Sequence, residues 1–259
     1  MTDGPNITPR VWLELFALAL IWGGVFLAVR VALDEIGFVT SVAHRVFWAA
    51  LILWAYVALR RLPVPRDPRV WGALFIMGLL NNVIPFCLMA WGQLHIASGL
   101  TSVFNAATAI FGALVAALLL ADWRLTLRKS LGITLGFAGV VVAIGVDALR
   151  NFDVTSLAQL AVIGGTLSYA FAGVWARVYL KGLSPQVAAA GMLTGSALVM
   201  VPAALLIDGT PRLDLAPATL LAVGYYVIFA TAGAYLLYYR ILARAGAANT
   251  MIVTLLIPP

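Results

Sequence analysis

Nine apolar stretches, separated by short loops that carry most of the charged residues, divide this chain from one end to the other. A helix needs about 20 mostly apolar residues to cross the hydrocarbon core of a bilayer. Hydrophobic residues make up 63% of the chain and charged residues 10%, whereas a soluble domain carries roughly 25% charged residues. This composition excludes a cytosolic enzyme, a nucleic-acid-binding domain and a disordered chain, and it predicts a polytopic membrane protein. The stretches cover residues 11–29, 46–59 (extended N-terminally through Arg45 and His44), 70–94, 96–121, 130–146, 154–176, 182–207, 215–239 and 245–259.

The residue pattern within these stretches predicts helices, so the fold class is all-α. No stretch alternates apolar and polar residues in the manner of an outer-membrane barrel, and helices satisfy their own backbone hydrogen bonds in lipid. The last stretch, 245–259, rises only about 22 Å as a helix, which is less than the roughly 30 Å of the hydrocarbon core. We therefore expect the sequence to be a C-terminally truncated version of a longer protein.

The basic residues gather in every second loop. Residues 60–69, 124–129, 177–181 and 240–244 are basic, and Arg10 precedes the first stretch. Cytoplasmic loops of membrane proteins carry such an excess of Lys and Arg. We predict a multi-pass protein of the cell inner membrane with a cytoplasmic N-terminus, and we assign the net charge of +6 to these loops rather than to nucleic-acid binding.

The two halves of the chain resemble each other. A shift of 147 residues aligns Arg30 with Arg177, among other identities. Identities alone are weak evidence in a chain rich in Leu and Ala, but a repeat after five spans agrees with the number of stretches. Because five is odd, the second unit enters the membrane in the opposite orientation, as in many secondary transporters. The predicted units are 1–150, with helices 1–5, and 151–259, with helices 6–9 and helix 10 absent.

Several short motifs resemble the signatures of one family. Residues 20–24 read Leu-Ile-Trp-Gly-Gly, residues 121–126 read Ala-Asp-Trp-Arg-Leu-Thr, and Arg45 stands early in the second helix. Near the end of the chain, residues 232–246 and the pair 257–258 (Ile-Pro) complete the series. In order and spacing these motifs are similar to those of EamA-type members of the drug/metabolite transporter superfamily.

The resemblance implies a fold and a function. It implies two inverted five-helix repeats with ten helices in the family, of which about nine are present here. It also implies a central cavity lined by helices one, three, four, six, eight and nine, and the export of metabolites or drugs. Two positions depart from the family pattern, because Asp122 stands where Glu is usual and Ala109 where the fourth helix usually has Pro.

Polar and aromatic side chains within the apolar stretches are the candidates for substrate binding. Such groups are costly in lipid and usually face a cavity or a partner helix, although many of them only bridge neighbouring helices. Pro85 is expected to kink the third helix and free a carbonyl. We predict an aromatic-lined cavity without a fixed charge at its centre, suited to a zwitterion, a nucleoside-like solute or an aromatic amphiphile. The predicted substrate-binding residues are Trp22, Asn82, Met89, Gln93, Asn105, Thr108, Ser168, Tyr169, Trp175, Tyr235 and Tyr239.

Two charged residues have separate predicted roles. Arg45 is expected at the outer mouth of the cavity. Glu14 either forms an i,i+4 ion pair with Arg10 or is a possible coupling residue that carries a proton. Because Glu14 is expected at the membrane interface and the middle of the membrane holds no group suited to coupling, facilitated or exchange-type movement is favoured over proton coupling through Glu14.

Catalysis has no support in the sequence. The two His residues lie far apart, and no metalloprotease, nucleophile-elbow or P-loop motif occurs, so we expect no enzyme activity, cofactor or metal. The predicted function is membrane transport by alternating access, exporting small metabolites such as amino acids, nucleosides or amphiphilic drug-like solutes. The alternative is a non-transporting structural or interaction protein embedded in the membrane. The expected partners are a small-molecule substrate, the lipid bilayer and a possible second copy of the chain.

Overall fold

The computed structural model consists of helices joined by short loops, and it describes residues 8–120, 126–144, 153, 156–212, 214–250 and 253–257. Seven helices are long and apolar enough to cross a membrane, which confirms an all-α polytopic membrane protein. The helices are α1 (Pro9–Ala32), α2 (Phe38–Leu59), α3 (Pro68–Gly92), α4 (Ser98–Leu119), α5 (Leu127–Ile144), α6 (Leu157–Tyr179), α7 (Pro185–Ile207), α8 (Pro217–Gly224, Tyr225–Gly233 and Ala234–Thr250 in direct succession) and α9 (Val253–Leu256).

Capping residues and prolines set where several helices begin. The Thr8 side chain accepts a hydrogen bond from the Val11 N–H, and the Asp67 side chain accepts one from the Arg69 N–H. Proline occupies the first turn of α1, α3, α7 and α8, where its missing N–H costs nothing. The helix starts are therefore encoded locally, ahead of the apolar residues that follow.

Two helix boundaries differ from the sequence-based expectation. Helix α2 begins at Phe38 rather than near His44 or Val46, because Thr40 and Ser41 are buried against the bundle despite their polarity. Helix α8 continues to Thr250, so the ninth helix does not begin at Ala245. The Ala-rich sequence after position 242 favours continuation of the helix.

The helices pack in pairs that follow a regular exchange. Helix α2 packs along α7, α1 packs against α8, and α6 packs against α3. Helix α2 also contacts α8, and α7 contacts α3. Suppose that α1 is exchanged with α6, α2 with α7 and α3 with α8. The α1–α8 contact then becomes the α6–α3 contact, the α2–α8 contact becomes the α7–α3 contact, and the α2–α7 contact is unchanged. That exchange is what two copies of one five-helix unit would produce.

Helices α3 and α8 each contain a π-helical segment near the middle, at Leu79–Val83 and Tyr225–Gly233. Pro85 lies just after the first segment, and its ring cannot coexist with a normal i−4 hydrogen bond. The wider π turn accommodates the missing N–H, so the disturbance expected at Pro85 takes the form of a π turn. In α8 the corresponding place is taken by Gly233, where a Cβ would lie 3.0 Å from the carbonyl oxygen of Ile228.

Candidate functional site

A polar cluster joins α3, α7 and α8 at the level of the α3 π segment. Asn81 Nδ2 donates to the Tyr235 hydroxyl at 3.0 Å, and that hydroxyl donates to Asn82 Oδ1 at 3.0 Å. Asn82 is fully buried, and its Nδ2 donates to Ser196 Oγ at 3.0 Å. These bonds fix the Tyr235 ring and leave Asn81, which is half-buried, on the open side of the cluster.

Arg45 extends from α2 toward the same region. Its Nε donates to Thr231 Oγ1 at 2.9 Å, and its guanidinium carbon lies 3.8 Å from the centre of the Phe86 ring. The phenols of Tyr169 and Tyr235 lie within electrostatic range of this charge. Thr231 lies in the π segment of α8, and Phe86 lies in the segment of α3 that follows its π turn, Ile84–Gly92. The structure thus places the Arg45 guanidinium between α8 and α3, and the predicted role of Arg45 at the outer mouth of the cavity stays a prediction.

A row of aromatic rings leads away from this region along α8. The Tyr235 and Tyr239 rings are stacked with centres 6.3 Å apart, and the Tyr238 ring meets Tyr239 edge-on at 5.4 Å. Trp22 of α1 lies 5.8 Å from the Tyr238 ring. The row runs toward the side of the bundle at which α1 begins, which we call the N-terminal side.

Two clefts open on the N-terminal side and share one residue, Tyr239. The larger encloses about 530 Å³ between α2, α7 and α8, and the smaller about 140 Å³ between α3, α6, α7 and α8. Met192 lines the smaller cleft, and its Sδ lies 3.9 Å from Asn81 Nδ2. The smaller cleft therefore reaches the polar cluster from the N-terminal side.

Carboxylates tie the helices together on the opposite side of the bundle. Asp208, at the end of α7, accepts hydrogen bonds of 2.8 Å from both the Thr40 N–H and the Thr40 hydroxyl of α2. Glu35 accepts from the Ala216 N–H at 3.0 Å, at the start of α8. The Thr219 hydroxyl and this N–H hold the pKa of Glu35 below its usual 4.5. Both carboxylates connect the first half of the chain to the second.

Glu14 forms a second charged site, on the N-terminal side. Its Oε1 lies 2.7 Å from Arg244 Nη1, 3.3 Å from Arg240 Nε and 3.6 Å from Arg10 Nε. The Glu14 side chain is only 9% exposed. The expected i,i+4 pair with Arg10 is therefore present. The shortest contact comes from Arg244, and it joins the start of α1 to the last turns of α8.

Several predicted substrate-binding residues bridge helices through backbone carbonyls. The Trp22 indole donates to the Ala230 carbonyl at 3.1 Å, and Ser168 Oγ donates to the Leu80 carbonyl at 2.7 Å. Ala230 and Leu80 lie within the two π segments, where carbonyls are freed from the regular ladder. The Trp175 indole likewise donates to the Ala73 carbonyl of α3 at 2.9 Å.

The remaining predicted residues divide into two groups. Tyr169, Tyr235 and Asn82 lie near the Arg45 guanidinium or in the polar cluster, and Tyr239 lies between the clefts. In contrast, no hydrogen bond among the described residues joins to that cluster the other four, which are Met89, Gln93, Asn105 and Thr108. Within the described part of the chain, Gln93 Oε1 and Thr108 Oγ1 are buried without a hydrogen-bond partner. The motif residues Asp122, Trp123 and Pro258 lie outside the described residues.

Four residues that the sequence did not single out belong to the site. Thr231 and Phe86 hold the Arg45 guanidinium, whereas Asn81 and Ser196 complete the polar cluster. Regular α-helical spacing places Asn82, but not Asn81, on one face with Pro85 and Met89. Both asparagines lie in the π segment, where the spacing of side chains around the helix differs from that of an α-helix. Among the described residues, no group of three or more His, Cys, Asp or Glu could hold a metal ion.

Comparison with known proteins assigns this architecture to a family. The chain is 20% identical over 250 residues to "Uncharacterized transporter YoaV" of Bacillus subtilis, covering 96% of this chain and 85% of that protein. It is 24% identical over 254 residues to "Protein PagO" of Salmonella typhimurium, covering 94% and 80%. It is also 26% identical over 221 residues to "Uncharacterized inner membrane transporter YedA" of Escherichia coli K12, covering 83% and 68%.

A solved structure and a family profile agree with these relatives. One protein of known crystal structure superposes with a TM-score of 0.74 at 18% identity, covering 96% of this chain and 84% of that one, which indicates a shared fold. The profile of the EamA-like transporter family matches residues 11–145 and again residues 156–258. The chain therefore belongs to the EamA-like transporter family, and the resemblance seen in its motifs is confirmed.

Proposed function

We propose that this membrane transporter carries a small organic solute by alternating access, with its binding site between the Arg45 guanidinium and Tyr239. The observation that carries the proposal is the difference between the two sides of the bundle. On the N-terminal side, clefts of about 530 and 140 Å³ converge on Tyr239. On the opposite side, Asp208 and Glu35 join α7 to α2 and the α1–α2 loop to α8. A route open at one end and tied at the other is one of the two states that alternating access requires.

The orientation and the repeats belong to the same proposal. Basic loops lie on the N-terminal side, so that side is cytoplasmic under the positive-inside rule, and solute enters there for export from the cell. The two units, 1–150 and 151–259, are inverted copies that move against each other. The exchange of helix contacts and the π segments in both α3 and α8 support this division.

The proposed binding surface combines aromatic rings with a few polar groups. Tyr239 and Tyr235 offer stacking faces, and the half-buried Asn81 offers an amide at the inner end of the smaller cleft. Glu14 is held by three arginines away from this surface. We therefore favour facilitated or exchange-type movement over proton coupling through Glu14.

Flux into vesicles tests the proposal. The purified chain is reconstituted into proteoliposomes, and labelled amino acids, nucleosides and cationic drugs are offered singly and in competition. We expect saturable flux of at least one class, absent from protein-free vesicles and reduced at least tenfold by Tyr239→Ala. A folded, reconstituted protein that moves none of these solutes would instead favour a structural or interaction role.

Cysteine labelling tests the open side. With Cys87 replaced by Ser, a cysteine at Ala243 in the larger cleft should react with a membrane-impermeant maleimide added from the N-terminal side. A transported solute should slow this reaction by closing the cleft. Gly72→Cys is the matched control, because Gly72 is exposed near the start of α3 with no atom within 4 Å of its Cβ position. Its labelling should not respond to solute.

A further inference from the structure

The Arg45 guanidinium has no counter-ion among the residues that the structure describes. Among the described residues, no carboxylate lies within 4.0 Å of it, whereas Arg10, Arg30, Arg212, Arg240 and Arg244 all form ion pairs. Its head group lies against Thr231, in the π segment of α8, and Phe86, which follows the π segment of α3. An unpaired cation within the membrane-spanning region is costly and is retained where it has a function.

The hydrogen-bonding capacity of Arg45 is mostly unused. Guanidinium has five N–H donors, and the Nε donor goes to Thr231 Oγ1. The described residues provide no acceptor for the four donors on the two Nη atoms. The two-pronged end of the guanidinium is therefore available to the acceptor atoms of a ligand.

The surroundings hold this head group in one orientation. Thr231 Oγ1 accepts from Arg45 and donates to the Tyr226 carbonyl at 2.7 Å, so its position is fixed from two sides. The Phe86 ring centre lies 3.8 Å from the guanidinium carbon, a contact that aromatic rings make favourably with cations. A guanidinium fixed in this way loses less entropy when it binds a ligand.

We propose that Arg45 binds the carboxylate of the transported solute, so that the substrates are small organic carboxylates, amino acids included. Arginine pairs with a carboxylate through two parallel hydrogen bonds, which suits the two free Nη groups. The carboxylate supplies the missing counter-charge, and the protein supplies the orientation. The inference rests on the proposed transport function and names the substrate class for the same site.

The groups beside Arg45 suit the rest of such a molecule. Tyr169 and Tyr235 lie within electrostatic range of the guanidinium, and Asn81 hydrogen-bonds to Tyr235. These phenol and amide groups can stack on or hydrogen-bond to a side chain or an amino group without adding a second full charge. Within the described residues near Arg45 no carboxylate is available to repel the anion.

Matched carboxylates and amides test the inference. Proteoliposomes containing the full chain are offered labelled phenylalanine, leucine, lactate and benzoate, each beside its primary amide, together with uridine and a cationic dye. We expect flux of at least one carboxylate and at least tenfold less of its amide. Arg45→Gln should lower the carboxylate flux at least tenfold, and Arg45→Lys should lower it less, with a raised KM. Arg30→Gln is the matched control, because Arg30 is paired with Asp34 away from the site.

A binding readout separates this inference from the transport proposal. The same carboxylates should raise the Tm of the purified protein, and Arg45→Gln should abolish the rise while its own Tm and elution profile stay near those of the wild type. If Arg45→Gln does not fold, Thr231→Val serves instead: it keeps the charge, removes its anchor and should raise KM. Stabilisation by a carboxylate without flux would uphold the inference and refute transport. Flux of uridine or the dye alone, or carboxylate flux that survives Arg45→Gln, would overturn the inference and leave transport standing. No flux and no stabilisation would overturn both.

Discussion

Glu14 and Arg45 are both charged residues inside spanning helices, but their surroundings are opposite. Glu14 is one carboxylate with three arginines within 4 Å, two of them from α8. Arg45 is one cation with a hydroxyl and an aromatic ring, and with no carboxylate within that distance among the described residues. The difference follows from depth. Glu14 lies within two turns of the start of α1, where arginines from the adjoining basic ends can reach it. The Arg45 head group instead lies between Phe86 of α3 and Thr231 in the π segment of α8.

The contrast indicates what each charge does. At Glu14 the protein supplies the counter-charges itself, although all three arginines contact Oε1, and Oε2 is buried without a hydrogen-bond partner among the described residues. Such a cluster stabilises one arrangement of helices. A charge that the protein leaves incomplete costs stability and is available to a ligand of opposite sign. On this view Glu14 holds α1 against α8, and Arg45 selects the solute. The predictions below test this division.

The largest expected effect on stability comes from Glu14→Gln. The substitution leaves Arg10, Arg240 and Arg244 facing one another without the carboxylate that attracts them. The arginines that lose their partner are 40–74% exposed and stay hydrated, so the main loss is the charge-assisted hydrogen bond to Arg244. Such a bond contributes roughly 2 kcal/mol, and the unfolding free energy in mild detergent should fall by about that amount. Chemical unfolding followed by tryptophan fluorescence measures it.

The matched control for that experiment is Asp34→Asn. Asp34 also pairs with an arginine at i,i+4, Arg30, at 2.8 Å, but its side chain is 66% exposed. Exposed pairs contribute about 0.5 kcal/mol or less. Equal losses for Glu14→Gln and Asp34→Asn would contradict the structural role assigned to Glu14.

The arginines around Glu14 should contribute more to the unfolding free energy the closer they lie to its carboxylate. Arg244 lies 2.7 Å from Glu14 Oε1 with 40% of its side chain exposed, whereas Arg10 lies 3.6 Å away and is 74% exposed. We expect Arg244→Gln to lower the unfolding free energy by about 1.5 kcal/mol and Arg10→Gln by less than about 0.5 kcal/mol. The reverse order would mean that the local pair within α1, rather than the α1–α8 link, supports the structure.

Arg45→Gln should change stability less than Glu14→Gln, although it should change transport more. The substitution removes one hydrogen bond and one cation–ring contact, and it also removes an unpaired charge. These contributions oppose each other, so the net change should stay below about 1 kcal/mol. A loss near that of Glu14→Gln, in the same unfolding assay, would show that Arg45 serves the fold rather than the solute.

The sequence predicted the spanning helices well because their length and apolar composition are local properties. It did not predict the contacts of Arg45 with Thr231 and Phe86, since the position of a residue along a helix fixes the backbone and not the end of a side chain as long as arginine. The partnership of Glu14 with Arg244 joins residues 230 positions apart, which no local pattern records. The face of α3 was predicted with regular helical spacing, and the π segment at Leu79–Val83 is where that spacing fails.

The smallest expected effect concerns Glu35. This carboxylate is stabilised by neutral hydrogen-bond donors, so its surroundings are intermediate between those of Glu14 and Arg45. The Thr219 hydroxyl and the Ala216 N–H hold its pKa below the usual 4.5. A lowered folded-state pKa means that the ionised carboxylate stabilises the protein above pH 4.5 and that this stabilisation is lost as pH falls through the folded-state pKa. Glu35→Gln should therefore lower Tm by a constant amount between pH 5 and pH 7, and by progressively less below pH 4.5.

Thr219→Val removes the main cause of the lowered Glu35 pKa, so the acid-induced loss of stability should begin at higher pH than in the wild type. If the Tm difference between wild type and Glu35→Gln stays the same down to pH 3, the capping carboxylate does not contribute through its charge.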